Sequence, residues 1–137
     1  MAKKRARLPE LSRLEQDIMN VVWDLGECSS AEVIAAYTKK RKLAKTTIRT
    51  VLANLRKKGY LEPVPTIERG FRLRAIVTRE AVAKRSLKEV VSGLFGGSPQ
   101  SAIAYLLKDE QLDEGDLEEI RRMLDERKRG GTPHERT

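Results

Sequence analysis

The chain is 137 residues long, 39% hydrophobic and 35% charged, with a mean hydropathy of −0.52; that length suits one domain-sized core, and no run approaches the ~18 consecutive apolar residues of a membrane-spanning helix. Its single cysteine, Cys28, and single histidine, His134, exclude an intramolecular disulfide and a Cys/His metal site, so neither metal nor cofactor is expected. The net charge of +8 is divided unequally: residues 1–79 hold 18 Lys and Arg against 8 Asp and Glu, and residues 80–137 hold 10 against 12. That asymmetry points to a nucleic-acid-binding half joined to a half with a different task.

Residues 1–8 contain Lys3, Lys4, Arg5 and Arg7 with nothing to pack, and read as a disordered basic arm. No apolar stretch follows these charges, so the start is not a secretory signal and a cytoplasmic protein is expected. From Ser12 the pattern turns helical, with Leu14, Ile18, Val21, Val22 and Leu25 on one face. Ser12 and Glu15 form a capping box, and Gly26 supplies the stop. A second helix opens at Ser29, with Glu32 completing another box, and buries Val33, Ala36 and Tyr37; the run Lys39-Lys40-Arg41-Lys42 follows as a solvated connection.

A third helix is predicted from near Thr46 to Gly59, with Ile48, Val51, Leu52 and Leu55 as its apolar stripe. After Gly59 the period changes to two. Tyr60 to Ile67 reads as a strand that Pro63 and Pro65 confine to an edge. Glu68-Arg69-Gly70 is a turn, and Phe71, Leu73 and Ala75 alternate with Arg72 and Arg74 in a second strand, giving a hairpin with a basic outer face.

The remainder is helical. Thr78 caps a helix with Val82, Leu87, Val90, Val91 and Leu94, which Phe95-Gly96-Gly97 breaks. Ser98 and Pro99 open the next, with Ile103, Leu106 and Leu107. Asp113 caps the last, which carries Leu117, Ile120, Met123 and Leu124, and Leu112 with Leu117 fits a hydrophobic staple. The expected fold is mainly α with a small β-hairpin: a winged helix-turn-helix over residues 9–77, a helical dimerisation domain over 78–129, and a flexible tail over 130–137.

The third helix is the candidate reader of DNA. Lys45, Thr46, Thr47, Arg49, Thr50 and Asn54 supply hydroxyls, an amide and cations that suit base edges in a major groove. Lys40, Arg41, Lys42, Lys57, Lys58, Arg69, Arg72 and Arg74 suit phosphates, which fix register rather than sequence. In the C-terminal helices Val90, Val91, Leu94, Ile103, Leu106, Leu107, Ile120 and Leu124 are more apolar positions than three short helices hide alone, and a homodimer is the expected solution.

Catalysis finds no support: there is no HExxH, no nucleophile with a nearby His and no phosphate-cradling glycine loop. The acidic set Asp113, Glu114, Asp116, Glu118 and Glu119 reads as a solvated helix face, with Glu118 expected to pair with Arg122. Cys28 reads as a small buried residue rather than a redox sensor.

The stretches LSRLEQDIMNVVWDLGECSSAEVIAAY, KTTIRTVLANLRKKGYLE and RGFRLRAIVTRE resemble the penicillinase-repressor family of bacterial transcription regulators (the BlaI/MecI/CopY type), over about Leu8 to Leu124. The resemblance implies a homodimer that occupies a palindromic operator of TACA/TGTA type, with Lys45, Thr46, Thr47, Arg49 and Thr50 matching the start of the recognition helix. In the β-lactam branch a membrane sensor protease signals induction, and the repressor is cut in its dimerisation arm at an Asn–Phe bond. The corresponding stretch here is Ala104-Tyr105-Leu106-Leu107, so Tyr105 and Leu106 mark the candidate cleavage region without that pair. The copper branch carries paired C-terminal cysteines, which this chain lacks. Two other readings remain open: a winged-helix regulator of MarR or PadR type with an apolar ligand pocket, and a winged helix used only for protein interaction.

Overall fold

The computed structural model of the chain describes residues 8–67 and 70–130. The expected arm over 1–7, the turn residues Glu68 and Arg69, and the tail from 131 with His134 lie outside them. Among the described residues the order is α1 (Arg13–Leu25), α2 (Ser30–Thr38), α3 (Lys45–Lys58), β1 (Leu61–Pro65), β2 (Phe71–Ala75), α4 (Arg79–Leu94), α5 (Pro99–Leu107) and α6 (Glu114–Gly130). They divide into two compact units between Ser86 and Leu87.

Local chemistry explains the first unit's boundaries. Both capping boxes form, Ser12 with Glu15 ahead of α1 and Ser29 with Glu32 ahead of α2, so each helix start satisfies its orphan amides. Gly26 (φ 80°) and Gly59 (φ 92°) end α1 and α3 in backbone conformations that side chains with a Cβ resist. The core gathers Ile18, Met19 and Val22 of α1, Val33, Ile34 and Tyr37 of α2, the full stripe Ile48, Val51, Leu52 and Leu55 of α3, and Cys28, Tyr60, Leu61 and Leu73. Met19 and Ile34 are core residues beyond the expected stripes. Leu25, placed on the buried face of α1 by its spacing, is 44% exposed.

The wing is shorter than its sequence pattern: β1 covers Leu61–Pro65, not Tyr60 to Ile67. It pairs antiparallel with β2, Leu61 opposite Ala75, Pro63 opposite Leu73 and Pro65 opposite Phe71. Leu73 exchanges both backbone bonds with Cys28 (3.0 and 2.6 Å). Its amide and carbonyl therefore point away from Pro63, and the proline falls where no ladder bond is required. Cys28 thus acts as a one-residue third strand that stitches the wing to the α1–α2 connection.

The unit closes on the start of α4. The Trp23 indole N–H donates to the Val77 carbonyl (3.0 Å), and the Arg79 guanidinium bonds Asp24 (2.7 Å) and lies 5.5 Å from the Trp23 ring centre. Val82 packs on the core, and Arg85 donates to the Tyr60 hydroxyl (2.8 Å), which in turn donates to the Pro9 carbonyl (2.6 Å). Of the arm expected over 1–8, Leu8 is described, and it packs partly buried against this core.

In the second unit the expected caps form, Ser98 ahead of α5 and Asp113 ahead of α6, the latter exchanging bonds with Asp116. Phe95 meets Tyr105 edge to face at 5.3 Å. Arg122 pairs with Glu119 and Glu126 rather than with the expected Glu118. Glu119 and Glu126 flank it one turn away on either side, so both hold the guanidinium at once. Helix α6 includes Gly130, the first residue of the expected tail. No helix is long and apolar enough to cross a membrane among the described residues.

Candidate nucleic-acid interface

Helix α3 is held by one face and leaves the other bare. Ile48, Val51, Leu52 and Leu55 are buried, so the helical period places Lys45, Thr46, Arg49, Thr50, Ala53, Asn54 and Lys57 outward; all seven are exposed, and Thr47 is half-buried at the edge. Of the six base-reading candidates, five therefore share one solvent face. Ala44 precedes the helix and gives no side-chain cap, unlike Ser12 and Ser29. A cylinder about 10–12 Å across with such a face matches the ≈ 12 Å width of a B-DNA major groove.

The phosphate candidates separate into two groups that sequence treated as one. Lys40, Lys42 and Lys57 are exposed and their side chains form no ion pair or hydrogen bond among the described residues. The others have partners within the chain. Arg41 reaches Asp17 (3.4 Å), and Lys58 donates to the Glu15 carboxylate (2.6 Å) and the Glu10 carbonyl (2.9 Å). Arg72 bonds Glu32 (3.2 Å) and the Glu27 carbonyl (2.9 Å), and Arg74 bonds Glu62 (2.7 Å). The hairpin's basic outer face is therefore charge-paired at both arginines. Arg69 lies outside the described residues.

These pairs arise from packing between elements far apart in sequence. Glu32 is shared: it accepts the Ser29 amide in the capping box and also Arg72, and the two together hold its carboxyl below the usual range. Cys28 lies beneath this cluster, where burial and the Glu32 charge push its thiol up. Sequence reasoning also missed Arg56, whose guanidinium stacks 4.8 Å from the Phe71 ring centre and ties the outer side of α3 to the wing. Nothing in a single sequence links positions 56 and 71.

Among the dimerisation candidates, Val90, Leu94, Ile103, Leu106, Leu107 and Leu124 are exposed, while Val91 and Ile120 are half-buried. Helices α4, α5 and α6 bury no residue fully. Tyr105 and Leu106, the candidate cleavage region, lie in the last turn of α5 and are exposed.

The family profile and the curated relatives point to one family. A family profile described as penicillinase repressor matches residues 11–126. A penicillinase repressor of Staphylococcus aureus is 26% identical over 126 residues, covering 92% of this chain and 97% of that protein. The methicillin resistance regulatory protein MecI of Mammaliicoccus sciuri is 24% identical over 118 residues, covering 86% and 95%. Among solved structures, Streptococcus pneumoniae FabT in complex with DNA aligns with a TM-score of 0.44 and 23% identity, over 88% of this chain and 80% of that one.

Proposed function

The chain belongs to the penicillinase repressor family, and from that premise we propose that it represses transcription as a cytoplasmic homodimer on an inverted-repeat operator. It is a DNA-binding transcriptional repressor rather than an enzyme. The observation that carries the finer reading is the bare polar face of α3, flanked by the unpaired cations Lys40, Lys42 and Lys57. Lys45, Thr46, Thr47, Arg49, Thr50 and Asn54 read base edges, and the three free lysines hold phosphates.

Each winged unit reaches one half-site, so two copies are needed for a palindrome. The exposed leucines, together with Val90 and Ile103, of α4, α5 and α6 supply the faces that a second copy covers. Induction releases the dimer, with antibiotic or cell-envelope stress signalled through a membrane sensor protease and the cut falling near Tyr105 and Leu106. The test is selection of duplexes from a randomised pool by the full-length protein, followed by titration of the winner and a scrambled control. The parent is expected to enrich an inverted repeat, and Arg49→Ala to lose roughly 1–3 kcal/mol of discrimination at one base position of each half-site. Equal affinity for the selected and scrambled duplexes, in parent and variant alike, would remove the reading.

A further inference from the structure

The spacing of α1 places Leu25 on the buried face of that helix, yet the side chain is exposed. It lines a groove of about 390 Å³ within the winged unit, between α1 and the end of α2. That volume falls in the ≈ 300–1,000 Å³ range of small-molecule sites. Val21 joins Leu25 from α1 and Ala36 lines the groove from α2, so the fold leaves an apolar surface partly uncovered there. Tyr37 also lines it. This tyrosine is only 8% exposed, and its hydroxyl has no hydrogen-bond partner among the described residues. A phenol that deep normally finds one.

The charges around the groove are not equally available. Asp17 is held by Arg13 (3.5 Å) and Arg41 (3.4 Å), and Asp24 by Arg79 (2.7 Å). Lys39 and Lys40 line the same groove, and neither ammonium has an ion pair or hydrogen bond among the described residues. Both acids are therefore paired, while two cations stand free beside apolar side chains and an unused hydroxyl. That combination suits an anion with an apolar body: the body removes Leu25 from water, and the charge meets cations that lack a partner.

We propose that this groove binds a small carboxylate with an apolar body, and that the ligand competes with DNA for Lys40. The apolar part covers Val21, Leu25 and Ala36. The carboxylate takes Lys40, with Lys39 beside it, and accepts from the Tyr37 hydroxyl. The competition rests on the reading of Lys40 as a phosphate contact. One ammonium cannot hold a ligand carboxylate and a DNA phosphate together, so the ligand weakens DNA binding and DNA weakens ligand binding by the same factor. The winged unit thereby carries an effector site of its own, made without the C-terminal helices.

The test uses the full-length protein and three probes: benzoate, its neutral counterpart benzamide, and inorganic phosphate, which lacks the apolar body. Amide chemical-shift titrations without DNA are expected to show saturable benzoate binding, with shifts centred on residues 17–25 and 36–41. Benzamide is expected to bind roughly tenfold more weakly, and phosphate to give no saturable shifts there. Leu25→Gln and Lys40→Gln are each expected to weaken benzoate roughly tenfold, and Leu25→Gln to keep parental DNA affinity when benzoate is absent. DNA titrations over a series of salt concentrations then compare saturating benzoate with an equal addition of chloride. Benzoate is expected to weaken the parent and to lower its slope of log K against log salt by roughly 0.9 for each phosphate released. Lys40→Gln is expected to show the lower slope from the start and no response to benzoate.

Shifts that do not saturate, equal binding of benzamide, or shifts centred away from the groove would overturn the site. So would sedimentation in which Leu25→Gln breaks up a dimer, since the groove would then hold a second copy. Benzoate that saturates the groove and leaves DNA affinity unchanged would overturn the competition. A parent without salt-dependent DNA binding removes the DNA reading instead, and the benzoate titration, made without DNA, still decides the site.

Discussion

The ammonium of Lys58 sits 2.6 Å from a carboxylate oxygen of Glu15, joining the last turn of α3 to the first turn of α1. The same carboxylate accepts the Ser12 amide (2.8 Å), and Lys58 also donates to the Glu10 carbonyl. One buried acid therefore caps a helix, neutralises a cation and anchors the segment that leads into α1. Burial pushes its pKa up, but the Lys58 and Ser12 bonds outweigh that and hold it below its ordinary 4.5.

The sign of this shift sets a pH dependence. A carboxyl that titrates lower when folded adds stability above its unfolded value and loses it as pH falls through its folded value. Glu15→Gln is expected to destabilise the protein by about 1–3 kcal/mol at pH 7, since it leaves Lys58 without its counter-charge. Urea titrations across pH 3–7 should show the gap between parent and variant closing below about pH 4.5. A gap that stays constant to pH 3 would mean that the charge of Glu15 is irrelevant to folding.

Adjacent lysines are expected to behave oppositely. Lys57 is free, so Lys57→Ala should flatten the plot of log K against log salt by roughly 0.9 for each phosphate released, with the melting temperature unchanged. Lys58→Ala should lower the melting temperature and leave that slope as it is. Arg72→Ala should follow Lys58, because its guanidinium is held by Glu27 and Glu32. Thermal melts and DNA titrations on the three variants check this, and equal slopes for Lys57→Ala and Lys58→Ala would refute the division of the cations.

Gly59 turns the chain from α3 into the wing at φ 92°, and an added Cβ would lie 3.1 Å from a Leu8 methyl carbon. Gly59→Ala is expected to cost about 1–2 kcal/mol from the left-handed backbone and the contact combined. Chemical denaturation measures it. Gly93→Ala, in the last turn of α4 with open space around it, serves as the control and should be neutral or stabilising.

Leu106 is 61% exposed in the isolated chain, so replacing it should not disturb the fold of one copy. Leu106→Lys would instead place an unpaired cation in the interface proposed between two copies. Sedimentation should show monomer at concentrations where the parent is dimeric, with an unchanged helical circular dichroism spectrum. Operator affinity should fall roughly 10²–10⁴-fold as two linked half-site contacts become independent. A dimer with parental affinity would place the interface elsewhere.

Local signals in the chain were enough to determine its elements. Ser12, Ser29, Ser98 and Asp113 marked four helix starts, Gly26 and Gly59 marked two ends, and the spacing of Ile48, Val51, Leu52 and Leu55 told which side of α3 faces the core. These depend on residues within one or two turns of one another, where the physics of capping and periodicity is complete. The exposed polar face of α3 followed directly, as the complement of its buried stripe.

Only the tertiary structure decided which charges are available. Lys57 and Lys58 are indistinguishable as letters, yet Glu15, 43 residues from Lys58, engages one and leaves the other free. Arg72 and Arg74 alternate as a basic strand should, but Glu32 arrives from α2 and Glu62 from across the hairpin to pair with them. A side chain's charge is written in the sequence; whether it is paired depends on what packing brings within 4 Å, and contacts between distant elements leave no trace in local pattern.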